Sequence, residues 1–163
     1  MKLLDNSCLS LFMLEIPQYD FILKLNDLNE SLNITNHVKD EFGAKDVFGK
    51  LNEYISNGLI SLEYINYDIQ LERRYPMLGR GELSIIQWGL ILKDKVEYYC
   101  ILDDLNARKV ALKLGLSISG SIGLIIILKN RNNYSRELID RIIFDIEKSN
   151  FRVSKKVLNE LRA

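Results

Sequence analysis

The chain has 163 residues, 47% of them hydrophobic and 27% charged, the balance of a globular chain long enough to bury a sizeable core. Lys plus Arg equals Asp plus Glu at 22 each, so no global field draws in a polyanion and any nucleic acid has to be met by a local basic patch. Cys8, Cys100 and His37 are the only cysteines and the only histidine, which argues against a Cys/His zinc site and a Ser-His-Asp triad and leaves two reduced thiols in apolar contexts.

Taken in chain order, residues 1–4 read as a strand. Asn6 or Ser7 then caps a helix carrying Leu9, Phe12, Met13 and Ile16, which stops near Pro17. A second helical piece carries Phe21, Ile22, Leu25 and Leu28. Leu32 to Thr35 reads as a second strand, followed by a short helix with Val38, Glu41 and Phe42 for which Asn36 is the expected cap. Phe48, Leu51, Tyr54 and Ile55 keep helical spacing up to Gly58, and Leu59 to Ile65 alternates as a third strand. A helix is expected over 79–94, a strand over 98–102, a helix through Ala107, Val110 and Leu114, and a brief strand from Leu116 to Ser119. Ile122 to Leu128 reads as a buried helix, 135–148 as an amphipathic one, and Ser154 as the cap of a last short helix. The alternation of strand and helix predicts one α/β domain over 1–163, without internal repeat or linker. The longest apolar stretch is too short to span a membrane, and the N-terminus lacks the features of a signal peptide, which points to the cytoplasm.

Two apolar runs end in acids: Lys2-Leu3-Leu4 at Asp5, and Tyr98 to Leu102 at Asp103-Asp104. In an open parallel sheet, ligands bind beyond the carboxyl ends of the strands where strand order reverses. Carboxylates gathered there without a basic partner repel each other, and a hard divalent cation, Mg²⁺ or Mn²⁺, is the usual remedy. Glu82, in Gly79-Arg80-Gly81-Glu82, opens a helix, and Glu41 lies in the helix after the second strand. Each acid taken singly has an ordinary reading as a helix cap or a dipole partner. The pair Asp103-Asp104 places two acids where one cap suffices.

These residues resemble the PIN-domain nucleases, in particular the uncharacterised prokaryotic branch close to VapC-type toxins. Leu3-Leu4-Asp5-Asn6-Ser7 matches the family's opening strand and first acid, and Val38-Lys39-Asp40-Glu41 resembles its second acid on a helix. Gly81-Glu82-Leu83-Ser84-Ile85-Ile86 matches the helix opening that carries the third acid. Leu102-Asp103-Asp104 through Ala107-Arg108-Lys109-Val110-Ala111 matches the "D-D-x-x-A-R-x-x-A" pattern of the branch. Leu114-Gly115-Leu116 and Gly120-Ser121-Ile122-Gly123 continue it, and Phe151-Arg152-Val153-Ser154 resembles its closing segment, with Asn150 where Gly is usual. Gln87-Trp88-Gly89 departs from the small apolar residues of the pattern, a change in packing rather than chemistry.

The resemblance implies a three-layer α/β/α fold with a mainly parallel sheet of four or five strands. It also implies a metal-dependent ribonuclease, the toxin of a toxin–antitoxin pair, with RNA as substrate, an antitoxin protein as partner and a homodimer as the assembly. Asp5, Glu82 and Asp104 are the expected metal ligands, with Asp103 as helper or as the ligand in place of Asp104. Glu41 is an outer ligand or orients water, and either Asp40 or Glu41 faces the site. Ser7 holds a ligand carboxylate or caps a helix. Arg108 binds a substrate phosphate or pairs with one of the acids, and Arg80 and Lys109, with Arg73 and Arg74, are candidates for a phosphate track. Gly120 to Gly123 offers backbone N–H groups to a phosphate or serves close packing. Phe48, Tyr54, Ile55 and Tyr67 are a candidate dimer contact, or core. The competing function is a non-catalytic binding module on the same fold. A haloacid-dehalogenase-type phosphatase is a poor fit, because residue 7 is Ser where a second Asp is required.

Overall fold

A computed structural model describes residues 1–163. Its five strands are β1 (Lys2–Leu4), β2 (Leu32–Thr35), β3 (Ser61–Glu63), β4 (Tyr99–Ile101) and β5 (Ile118–Ser119). All pair in parallel in the order β3-β2-β1-β4-β5, with Leu3 opposite Cys100 and Leu4 opposite Ile101. Leu3, Leu4, Ile34, Cys100 and Ile101 are completely buried. A parallel sheet covered on both faces explains why these strands read as continuous apolar runs rather than alternating ones.

The helices are α1 (Asn6–Ser10), α2 (Phe21–Asp27), α3 (Asn36–Gly43), α4 (Lys50–Ser56), α5 (Ile69–Arg74), α6 (Arg80–Leu92), α7 (Leu105–Lys113), α8 (Ser121–Asn132), α9 (Arg136–Lys148) and α10 (Lys155–Arg162). The chain moves one way across the sheet from β1 to β3, then returns past β1 to β4 and β5. Helix α6 packs against β2 and β4, α7 against β5, and α3 against β2, α1 and α6, so helices flank the sheet. The result is the expected three-layer α/β/α arrangement of the PIN-like kind, with strand order reversing between β1 and β4. The 43 buried apolar side chains form one cluster, so a single core supports both faces. No helix is long and apolar enough to cross a membrane.

Helix α6 sits unusually close to the sheet. A Cβ at Gly89 would meet Cys100 Sγ at 2.9 Å and Leu116 Cδ1 at 3.2 Å, so the glycine beside Trp88 is what lets the helix approach β4.

Several local expectations give way to tertiary geometry. The first helix continues after α1 as a π-helical turn over Leu11–Glu15, in which Ile16 N–H reaches Leu11 O at 3.0 Å. Asp5, not Asn6 or Ser7, takes the N-cap position of α1, without a side-chain capping bond. Thr35, not Asn36, caps α3 by accepting from Val38 N–H at 3.1 Å, while Asn36 Oδ1 accepts from Ile65 N–H at 2.9 Å and ties α3 to the chain beyond β3. The expected strand 59–65 shrinks to three residues because it is an edge strand with one neighbour. Helix α5 carries no buried residue, hence no apolar stripe to read. Of the candidate dimer residues, Tyr54 is core and Ile55 and Tyr67 are half-buried against it, which leaves Phe48, outside α4 and 96% exposed.

Candidate active site

Asp5 and the Asp103-Asp104 pair leave adjacent strands at the point of strand-order reversal, where a crevice is expected. The crevice exists as a cleft of ≈ 670 Å³ beyond the carboxyl ends of β1 and β4. Asp5, Glu41, Glu82, Asp103 and Asp104 all line it, together with Glu15, and its only cationic neighbours are Lys45 and Arg152.

The acids are held from different elements. Asp5 is 4% exposed, and its Oδ1 has no hydrogen-bond partner. Burial, then the charges of Glu82, Glu41 and Asp103, push its carboxyl up to about 8, against the pull of the Asn6 backbone N–H. Glu82 accepts from Gly79 N–H at 3.0 Å; Gly79 has no side chain to return the bond, so this is half of a capping box. Burial, with Asp104 and Glu41 nearby, raises the Glu82 carboxyl above its ordinary value. Glu41 reaches from α3 to α6, accepting from Gly81 N–H at 2.8 Å, whereas Asp40 is exposed and lines no part of the cleft.

Gly81 is held at both of its backbone polar groups. Its carbonyl accepts from Ser84 Oγ at 2.6 Å, and Ser84 Oγ lies 2.6 Å from Thr35 Oγ1. A hydroxyl has one proton, and Ser84 spends its own on Gly81, so Thr35 is the donor to Ser84. The chain Thr35–Ser84–Gly81 is fully buried between the end of β2 and the start of α6, and fixes where Glu82 begins. Gly81 also leaves necessary room: a Cβ there would stand 2.5 Å from Glu41 Oε2 and 3.4 Å from Asp5 Oδ1.

Asp103 and Asp104 play different parts. Asp103 accepts from Ser7 Oγ at 3.0 Å, from Ser121 N–H at 2.8 Å and from Ser121 Oγ at 2.5 Å. Ser7 therefore holds an acid rather than capping α1. Asp104 is exposed and caps α7, accepting from Ala107 N–H at 2.9 Å. The N–H of Ser121 is committed to Asp103, and a Cβ at Gly123 would strike the Ser119 side chain, so the Gly120–Gly123 segment serves close packing.

The remaining candidates separate. Arg108 forms no ion pair; it donates to Leu102 O at 2.8 Å and lines a neighbouring cleft. Arg80, in the first turn of α6, and Lys109, on α7, are exposed and line neither cleft; Arg73 and Arg74 are exposed in the last turn of α5. Sequence reading missed Glu15, Asn6 and Ser10 as lining residues. Glu15 accepts from Asn150 N–H at 3.1 Å, and Asn6 Oδ1 and Ser10 Oγ are, like Asp5 Oδ1, buried atoms without a partner. The spacing of Asn6 and Ser10 by four residues on one helix face was the available signal.

No three His, Cys, Asp or Glu side chains are arranged, as they stand, to hold a metal ion. The donor set nonetheless fits a hard cation. It is all carboxylate, Asp5 Oδ1 has no other partner, and Glu41 Oε2 and Asp5 Oδ1 approach one point that Gly81 keeps clear.

An open parallel sheet with carboxylates collected at its switch point defines an α/β domain suited to cation-assisted chemistry on anions. Residues 5–163 match a family model described as a PIN domain, and the chain belongs to that family. PIN domains are in general nucleases, and typically use divalent metals. No curated protein and no solved structure matches the chain.

Proposed function

We propose that the protein is a Mg²⁺- or Mn²⁺-dependent endoribonuclease of the VapC-like branch, the toxin of a toxin–antitoxin pair. In this reading it works in the cytoplasm as a homodimer and is blocked by an antitoxin. The observation that carries the reading is the convergence of Asp5, Glu41, Glu82, Asp103 and Asp104, from four separate stretches of chain, on one cleft at the switch point. Asp5, Glu82 and Asp104 would hold the cation, with Asp103 and Glu41 beside them. When bound, such a cation neutralises charge on a phosphodiester and makes a water more acidic. The chain's own contribution is positioning. Ser7 and Ser121 fix the rotamer of Asp103, Gly81 N–H fixes Glu41, and the buried Thr35–Ser84 pair fixes the start of α6. Glu41 Oε2 makes none of the hydrogen bonds that hold Glu41, and is available to orient a water.

A second reading, a non-catalytic binding module on the same fold, is favoured by the lack of a closed three-ligand group. The deciding experiment incubates a mixed RNA pool with Mg²⁺ or Mn²⁺, with EDTA, and with the Asp5→Asn protein. The nuclease reading expects cleavage only by the wild type with metal. Intact RNA in every arm favours the binding module, and equal cleavage by Asp5→Asn overturns the site.

A further inference from the structure

A second cleft of ≈ 490 Å³ opens beside the acid site, walled by residues of α7, β5, α8 and the Phe151–Ser154 segment that leads into α10. We propose that it seats the nucleotide of single-stranded RNA next to the scissile phosphate, with Phe151 and Leu105 under the base and Arg108 and Arg152 on the backbone phosphates. The inference rests on the nuclease reading above.

Continuity is the first argument. Asp103, Leu105, Phe151 and Arg152 line both clefts, so a chain lying in one enters the other across a shared lip. The lip has the composition of a base platform. Leu105, the first residue of α7, is 63% exposed, and Phe151 is half-buried beside it. Every base has a π-face, so an aromatic ring with an apolar neighbour accepts any of them.

Charge is the second argument. Six carboxylates line the acid cleft against Lys45 and Arg152, so a polyanion entering it is repelled unless cations hold it nearby. Arg108 and Arg152 supply those cations at the neighbouring cleft, and neither has a carboxylate within ion-pair distance. Arg108 spends one N–H on Leu102 O, and four of a guanidinium's five donors remain. Asp103 is held by Ser7 and Ser121 and forms no ion pair with Arg108; Glu160 is the other acid of the cleft. The volume falls in the range of about 300–1,000 Å³ usual for small-ligand sites, which is room for one unstacked nucleotide and not for a duplex.

The test separates binding from cleavage. The Asp5→Asn protein with Mn²⁺ is titrated into a fluorescein-labelled single-stranded RNA of about 12 nucleotides, within known single-strand site sizes. Phe151→Ala on that background should weaken binding about tenfold, the loss of one base–aromatic stack. Arg152→Gln and Arg108→Gln should each reduce the salt dependence by roughly one ion. Arg136→Gln, on α9 and outside both clefts, should change neither. In the cleavage arm, Arg152→Gln in the otherwise wild-type protein should raise KM and leave kcat in place. Arg152 is exposed, so its replacement keeps the test alive if Phe151→Ala disturbs folding. RNA bound and cut equally well by the cleft variants overturns this inference and leaves the nuclease reading standing. RNA neither bound nor cut by any form overturns both. Variants that weaken capture of a partner protein and not of RNA make the cleft a protein-docking surface and overturn it as well.

Discussion

Asp5 concentrates the electrostatic tension of the site in one side chain. Its carboxyl has an ordinary value of 3.8 and is pushed up to about 8 by burial first and by neighbouring acids second. Between those values the folded chain keeps a proton that the unfolded chain has released. Stability of the cation-free protein should therefore fall as pH rises from about 4 to about 8 and level off above. Inside that window the loss approaches about 1.4 kcal/mol for each step of one in pH. Asp5→Asn removes the titration. Urea unfolding in EDTA should find the variant similar to wild type near the acid end of that window and more stable at its alkaline end. Parallel pH slopes for the two proteins would show that Asp5 is not the group responsible. Which acids gather at the cleft was legible where each closes or opens an apolar run, as Asp5, Glu82 and Asp103-Asp104 do. The choice between Asp40 and Glu41 was not, because neighbours on a helix differ only in direction, and only the contact with Gly81 N–H settles it. Glu15 stayed hidden because its orientation depends on a π-helical turn, which has no period of its own to read.

At the scale of elements, apolar periodicity located nearly every helix with a buried face, including the stripe Ile139, Ile142, Ile143 and Ile146 on α9. It failed where an element buries nothing, as in α5, and where a polar side chain had two possible partners, as at Thr35 and Asn36. Thr35 carries more than its capping role. It accepts from Val38 N–H and donates to Ser84, coupling β2, α3 and α6 in a volume that excludes water. Thr35→Val keeps the shape, leaves the buried Val38 N–H without its acceptor and removes the bond that Ser84 Oγ accepts, while Ser84 keeps its own bond to Gly81 O, so it should cost about 1–3 kcal/mol in urea unfolding. A loss below about 0.5 kcal/mol, the range of ordinary surface changes, would mean that the pair contributes no more than an exposed contact.

On the scale of the whole molecule, the acid cleft is a product of topology. Residues 5, 41, 82, 103 and 104 are scattered along the chain and meet only because parallel strands β1 and β4 end side by side and α3 and α6 close over them. An unfolded chain offers no comparable group, so a cation that binds the cleft binds the folded state alone. Its affinity then adds directly to stability, by about 2.7 kcal/mol at a hundredfold excess over Kd. Mn²⁺ should accordingly raise the melting temperature of the wild type. The rise should be larger near pH 8 than near pH 6, because Asp5 has to lose its proton to a cation that competes for the same oxygens. Asp104→Asn gives the sharper comparison. Asn caps a helix about as well as Asp, so α7 keeps its start while the cleft loses one charge facing Glu82. The metal-free variant should be at least as stable as wild type, and Mn²⁺ should stabilise it less. Equal Mn²⁺ effects in the two proteins, measured by thermal unfolding with and without EDTA, would reduce Asp104 to a helix cap and leave the cation to Asp5, Glu82 and Asp103.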